Sequence, residues 1–221
     1  TNTTASNSTA VGFQAMLANT TGANNTAVGF YSLCSNTTGA SNTAIGRQSL
    51  SKNTTASSNT AVGNNSMICN TTGHSNTAVG RYALYENTTA DNNTAIGFCA
   101  LMDNTTGTGN TASGNRALEN NTTADSNTAV GYSTLIANTT GACNTALGKE
   151  ALRAHTTGTR NTGLGHGALC DITTTQDNTA VGYHASRDAT ANYTTAVGSE
   201  AVFRTTGDAN TGVGYRSLYC N

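Results

Sequence analysis

Asn25-Thr26-Ala27-Val28-Gly29-Phe30-Tyr31-Ser32-Leu33-Cys34-Ser35-Asn36-Thr37-Thr38-Gly39-Ala40-Ser41 is followed at once by Asn42-Thr43-Ala44-Ile45-Gly46, the same phrase 17 residues on. Gly12, Gly29, Gly46, Gly63, Gly80, Gly97, Gly114, Gly131, Gly148, Gly165 and Gly182 keep that interval. Gly198 arrives one residue early, and Gly214 closes the series. A fixed period of this length marks a repeat architecture in which each unit stacks on the next and none folds alone. The reading is therefore of one motif copied along the chain, which favours a fibre or an extended surface over a reaction centre.

Composition narrows the architecture further. Of 221 residues only 5% are aromatic, none is Trp, and the 36% hydrophobic fraction rests largely on Ala and Val, so the predicted core is thin and regularly stacked. Abundant Asn, Thr, Ser and Gly would suit disorder, but a disordered tract has no reason to return an aliphatic residue to one register. A net charge of −1 with 10% charged residues provides no basic stripe for nucleic acid and no polybasic segment for anionic lipid. No apolar run approaches the roughly 20 residues of a membrane span. Neither nucleic acid nor membrane insertion is expected.

Within the unit, N-T-A-V-G and N-T-T-G alternate with short apolar stretches. Val, Ile and Thr suit a pleated surface, while Asn and Gly tolerate the left-handed dihedrals of corners. A helix fails because no 3.6-residue spacing persists and Gly recurs in every unit. The fold class is all-β: a parallel β-solenoid of about 13 coils with 17 residues each, two or three short strands per coil, and a left-handed sense. Residues 1–221 read as a single uncapped repeat domain, expected to be a fragment of a longer array or a filament subunit.

Val28, Ile45, Val62 and Val79, together with Leu33, Leu50 and Leu84, are the expected core. The column preceding Val is Ala (Ala27, Ala44, Ala61, Ala78) or Gly (Gly163, Gly212), so something packs tightly against it. Two Asn columns, Asn19, Asn36, Asn53, Asn70 and Asn25, Asn42, Asn59, Asn76, are predicted to bond amide to carbonyl up the stack.

Asn25-Thr26-Ala27-Val28-Gly29 and Thr37-Thr38-Gly39, with Ser32-Leu33 between them, resemble the head repeats of trimeric autotransporter adhesins and the longer repeats of phage tail-fibre and related virus-associated proteins. The resemblance covers the whole chain through a short motif. It implies a left-handed parallel β-roll assembling as a homotrimer.

Several columns carry candidate chemistry. The N-T-T runs are N-glycosylation acceptors in eight consecutive units, Asn19, Asn36, Asn87 and Asn138 among them. Neighbouring acceptors only about 4.8 Å apart cannot all carry a glycan, and a structural ladder is the competing reading. The Thr26 column suggests an ice-binding array, but Thr26 and Val28 share a strand face, so an inward Val predicts an inward Thr. Six cysteines fall in registers that do not pair: Cys34 and Cys69 are two coils apart, beyond bridging range, and free thiols are expected. His74, His155, His166 and His184 occupy different columns, so no metal site is expected. Asp171, Asp177 and Asp188 are the nearest approach to a carboxylate cluster, and no enzyme activity or cofactor is expected. Tyr31, Tyr82, Tyr132 and Tyr215, with Cys220, are the expected contacts between subunits.

Together these features predict a structural or adhesive fibre protein at an extracellular, cell-surface or virion-surface location. Its main partner is itself, as trimer or filament, with a host-surface glycan or protein as a further target. The alternatives are an ice-binding solenoid and a glycan-binding adhesin tip.

Overall fold

The computed structural model describes residues 4–219. The chain divides into two compact units, the first ending at Gly109 and the second beginning at Asn110. The first contains β1 (Thr9–Val11) through β6 (Thr94–Ile96), and the second β7 (Thr111–Ser113) through β13 (Thr211–Val213), one strand per repeat. Each unit is a parallel β-solenoid, and no helix occurs among the described residues.

Register is strict. β2 (Thr26–Val28) pairs with β3 (Thr43–Ile45) as Thr26 with Thr43, Ala27 with Ala44 and Val28 with Ile45, and the same columns pair throughout both units. Each strand is only three residues long, and each coil has one rather than the two or three expected. The rest of the coil is turn, yet its backbone donors still run to neighbouring coils. Tyr31 N donates to Phe13 O in the coil before at 3.0 Å, whereas Leu33 N donates to Ser49 O in the coil after at 3.0 Å. The alternation follows from left-handed dihedrals at both residues, φ 56° at Tyr31 and 50° at Leu33, which swing successive amides to opposite sides. An L residue in that region costs about 1–2 kcal/mol, and the inter-coil bonds offset it. At Gly46, φ 131°, an added Cβ would lie 2.4 Å from Gly63 O, so the tight approach of coils at this column excludes any side chain.

The core corrects the sequence reading. Leu33, Leu50 and Leu84 are fully buried, but Val28 and Val62 are half-buried, while Ile45 and Val79 are exposed at 39% and 36%. The inward residue of each strand is Ala: Ala27, Ala44, Ala61 and Ala78 have no accessible surface. The reason is the narrow lumen. A Cβ at Gly163, in the Ala column, would sit 3.4 Å from Leu152 Cδ1, so the leucine column already fills the space across from the strand. With only a methyl admitted there, the two-residue period sends both Thr and Val outward.

Candidate functional surface

Buried polar residues hold the corners. Asn36 Nδ2 donates to Asn19 Oδ1 at 2.8 Å and to Gly39 O at 2.9 Å. Asn53 repeats the pattern onto Asn36, and Asn70 onto Asn53, at 2.8 and 3.0 Å. The second column works differently. Asn25 Nδ2 donates to Gly39 O at 2.8 Å, and its Oδ1 accepts from the Asn42 backbone N–H at 2.9 Å. Asn42, Asn59 and Asn76 do the same, so this column ties side chain to backbone rather than amide to amide.

These bonds bear on the glycosylation acceptors. Asn19, Asn36, Asn87 and Asn138 have no accessible surface. Asn36, Asn87 and Asn138 each donate from Nδ2 both to the preceding Asn and to a carbonyl three residues on. A glycan on Nδ2 would replace one donated hydrogen and bring a bulky sugar into a sealed corner.

Outside the coil, two kinds of surface result. The first is the outward pair of columns on the strands. In the first unit it comprises Thr9, Thr26, Thr43, Thr60, Thr77 and Thr94 beside Val11, Val28, Ile45, Val62, Val79 and Ile96, without one charged residue. In the second unit the aliphatic column includes Ser113 and Leu147.

The second surface lies just after the glycines, where the residue types vary. Phe13 stacks on Phe30 at 5.5 Å, and Tyr31 is tilted against Phe30 at 4.5 Å. Tyr82 meets Tyr85 edge-on at 5.5 Å beneath the Arg81 guanidinium, 4.6 Å from its ring centre. Tyr82 and Tyr85 line a shallow groove of about 280 Å³ with Glu86, Met102 and Asp103. Tyr132 lies 6.0 Å from Lys149 Nζ, and the ring of Tyr215, 70% exposed, lies 5.2 Å from the Arg216 guanidinium. Phe13, Phe30 and Tyr31, and likewise Tyr82 and Tyr85, therefore form local ring clusters with an arginine nearby, whereas Tyr132 and Tyr215 each pair with a cation. Cys220 lies outside the described residues.

Cys34, Cys69, Cys99, Cys143 and Cys170 are free thiols. Burial, with the Asp171 carboxylate beside it, pushes Cys170 up to about 12, which leaves it protonated and inert at neutral pH. The carboxylates of Asp171, Asp177 and Asp188 are held by arginines. Asp171 meets Arg153 at 3.0 Å and Arg187 at 2.9 Å, Asp177 meets Arg160 at 2.6 Å, and Asp188 meets Arg204 at 3.1 Å. The Arg160 hydrogen bond holds Asp177 below the usual carboxylate range. Among the described residues no three His, Cys, Asp or Glu side chains come together as a metal site.

His155 occupies a place that reading residue by residue missed. It takes the corner column of Asn19 to Asn138, is fully buried, and leaves both its own Nδ1 and Asn138 Oδ1 without a hydrogen-bond partner. Burial pulls its pKa below the ordinary imidazole value. The signal was available, since counting from Gly148 places His155 where the other coils carry Asn. The outward direction of Thr and Val was also signalled, by the restriction of their intervening column to Ala or Gly. No protein-family model, curated protein or solved structure matches this chain.

Proposed function

We propose that this chain is a repeat segment of an extracellular fibre, on a cell or virion surface, whose role is structural or adhesive and not catalytic. One observation supports the reading above others: within each unit successive coils are bonded to one another through backbone amides at strand and corner alike, and along most of the stack through buried Asn amides as well. A load along the stack is then shared by many parallel hydrogen bonds, a property that a fibre needs and a soluble binding domain does not. Identical rungs also suit assembly of like with like, so the partner is a further copy of the chain, as trimer or filament. The lateral contacts are the rings of Tyr31, Tyr82, Tyr132 and Tyr215, since exposed rings beside cations are typical of contact surfaces. A host-surface glycan or protein is the target of the adhesive role, and no nucleic acid takes part.

Electron microscopy with light scattering on the purified chain tests this. Fibres or a defined oligomer are expected, and combined Tyr82→Ser and Tyr132→Ser substitutions should reduce them without loss of the β signal. Compact monomers at high protein concentration would count against the proposal.

A further inference from the structure

The strand face of the first unit has a surface chemistry that the fibre reading does not use. Two columns run side by side, Thr9 to Thr94 and Val11 to Ile96, on six strands in parallel register. The rungs repeat at about 4.8 Å, and the two columns are two strand residues apart, about 6.6 Å. Every member of the second column is Val or Ile, so β-branching restricts χ1 and holds the methyl groups in a fixed array.

The threonine hydroxyls differ from those at the corner. Thr37, Thr54 and Thr71 each donate Oγ1–H to a carbonyl of the next coil, at 3.0, 3.2 and 3.1 Å. Among the described residues, the hydroxyls of Thr26, Thr43, Thr60 and Thr77 have no protein partner and are left to water. The strip therefore presents rows of methyl groups at a constant interval, with a free hydroxyl at each rung and no charge to disorder the water above it.

We propose that this Thr-x-Val face of the first unit binds ice. The rung repeat lies close to the oxygen repeat of hexagonal ice along its a axis, and the column separation is near the c-axis repeat. Water caged over the methyl rows and anchored by the hydroxyls would already occupy lattice positions when it meets a crystal. Ordered water over apolar groups is the ordinary state of such surfaces, and the constant rung interval adds the periodicity that ice requires. The second unit binds more weakly, because Ser113 and Leu147 interrupt its aliphatic column. This inference is independent of the fibre reading, which rests on the coil-to-coil bonds and the aromatic clusters.

The test is thermal hysteresis and inhibition of ice recrystallisation by the full-length chain. The wild-type protein should hold a supercooled crystal at fixed size and shape it into facets. Thr43→Tyr, at the middle of the strip, should abolish both effects. Thr38→Tyr, on an exposed corner position, should leave them intact, with circular dichroism verifying that both variants stay folded. The proposal fails if the wild-type protein shows neither effect, or if Thr43→Tyr and Thr38→Tyr behave alike. A wild-type oligomer that is inactive toward ice and is dissociated by Thr43→Tyr would assign the strip to self-association and overturn it.

Discussion

In the first unit the corner ladder runs from Asn19 through Asn36, Asn53, Asn70 and Asn87 to Asn104, each amide bonded to the previous one. In the second unit it runs from Asn121 to Asn138 and then stops. His155, Ile172, Ala189 and Thr205 take its column, all buried. Around and beyond that break, Asn138 Oδ1, His155 Nδ1, Thr175 Oγ1, Ser186 Oγ, Thr194 Oγ1 and Thr205 Oγ1 are buried without partners, against Asn65 Oδ1 in the first unit. The outer surface compensates with an ion ladder, Arg153 to Asp171 to Arg187 to Asp188 to Arg204. The coils also lose their fixed length here, as Gly182, Gly198 and Gly214 follow at 16-residue intervals while the strands keep register, Thr179 opposite Thr195. An amide ladder requires the same corner in every coil, because each Asn must meet the one before it. Once Ala189 and Thr205 replace Asn, a corner residue can be dropped without breaking the stack. The coils of His155 and Ile172 keep 17 residues without an Asn, so loss of the ladder permits a shorter coil and does not require one.

Breaking the intact ladder should have the largest effect. Asn53→Ala removes the donor to Asn36 Oδ1 and the acceptor for Asn70 Nδ2. At about 1–3 kcal/mol for each buried group left unpaired, amide exchange in the neighbouring coils should accelerate by orders of magnitude. Unchanged protection there would show that the ladder is decorative.

Repairing the broken ladder is the converse. His155→Asn places a donor where Asn138 Oδ1 has no partner, in the geometry by which Asn138 Nδ2 meets Asn121 Oδ1 at 2.8 Å and Gly141 O at 3.0 Å. A gain of about 1–2 kcal/mol in local stability is expected from the bond formed and the orphan removed. Exchange measured around residues 150–160 should slow.

Acid should separate the two regions by a smaller margin. His155 is buried in its neutral form and its folded pKa is lowered, so the unfolded chain binds the extra proton first. Stability is intact above the unfolded value of about 6.5 and is lost as pH falls from there through the lowered folded value. Exchange around His155 should therefore speed up below that pH in the wild type and not in His155→Asn. Equal pH dependence in both proteins would remove His155 from the account.

The smallest effect belongs to the ion ladder. Arg187→Ala breaks its contacts with Asp171 and Asp188, which are 28% and 27% exposed. Part-exposed pairs of this kind contribute at most about 1 kcal/mol each and are screened by salt. Chemical denaturation at low and high ionic strength should show a difference that shrinks with salt.

The period, the strand phrase Thr-Ala-Val, the Asn corners and the buried leucines were legible in the sequence, because each repeats often enough to stand out from its neighbours. The outward placement of Val28, Ile45, Val62 and Val79 was not. Hydrophobicity argued for burial at those positions, and the argument that Thr and Val share a face was sound but attached to the wrong side. The burial of His155 was not legible residue by residue either, since His has no single preferred environment and only its column reveals the corner that it fills.

The chain's own pattern determined that identical units stack in register, because parallel pairing at one fixed period is the arrangement that puts every Asn, Gly and aliphatic residue beside its equivalent. Which face of each strand turns inward was decided only by the closed coil. The leucine column fills the lumen and leaves room for a methyl group, so Ala enters, and Thr and Val are turned out to the solvent.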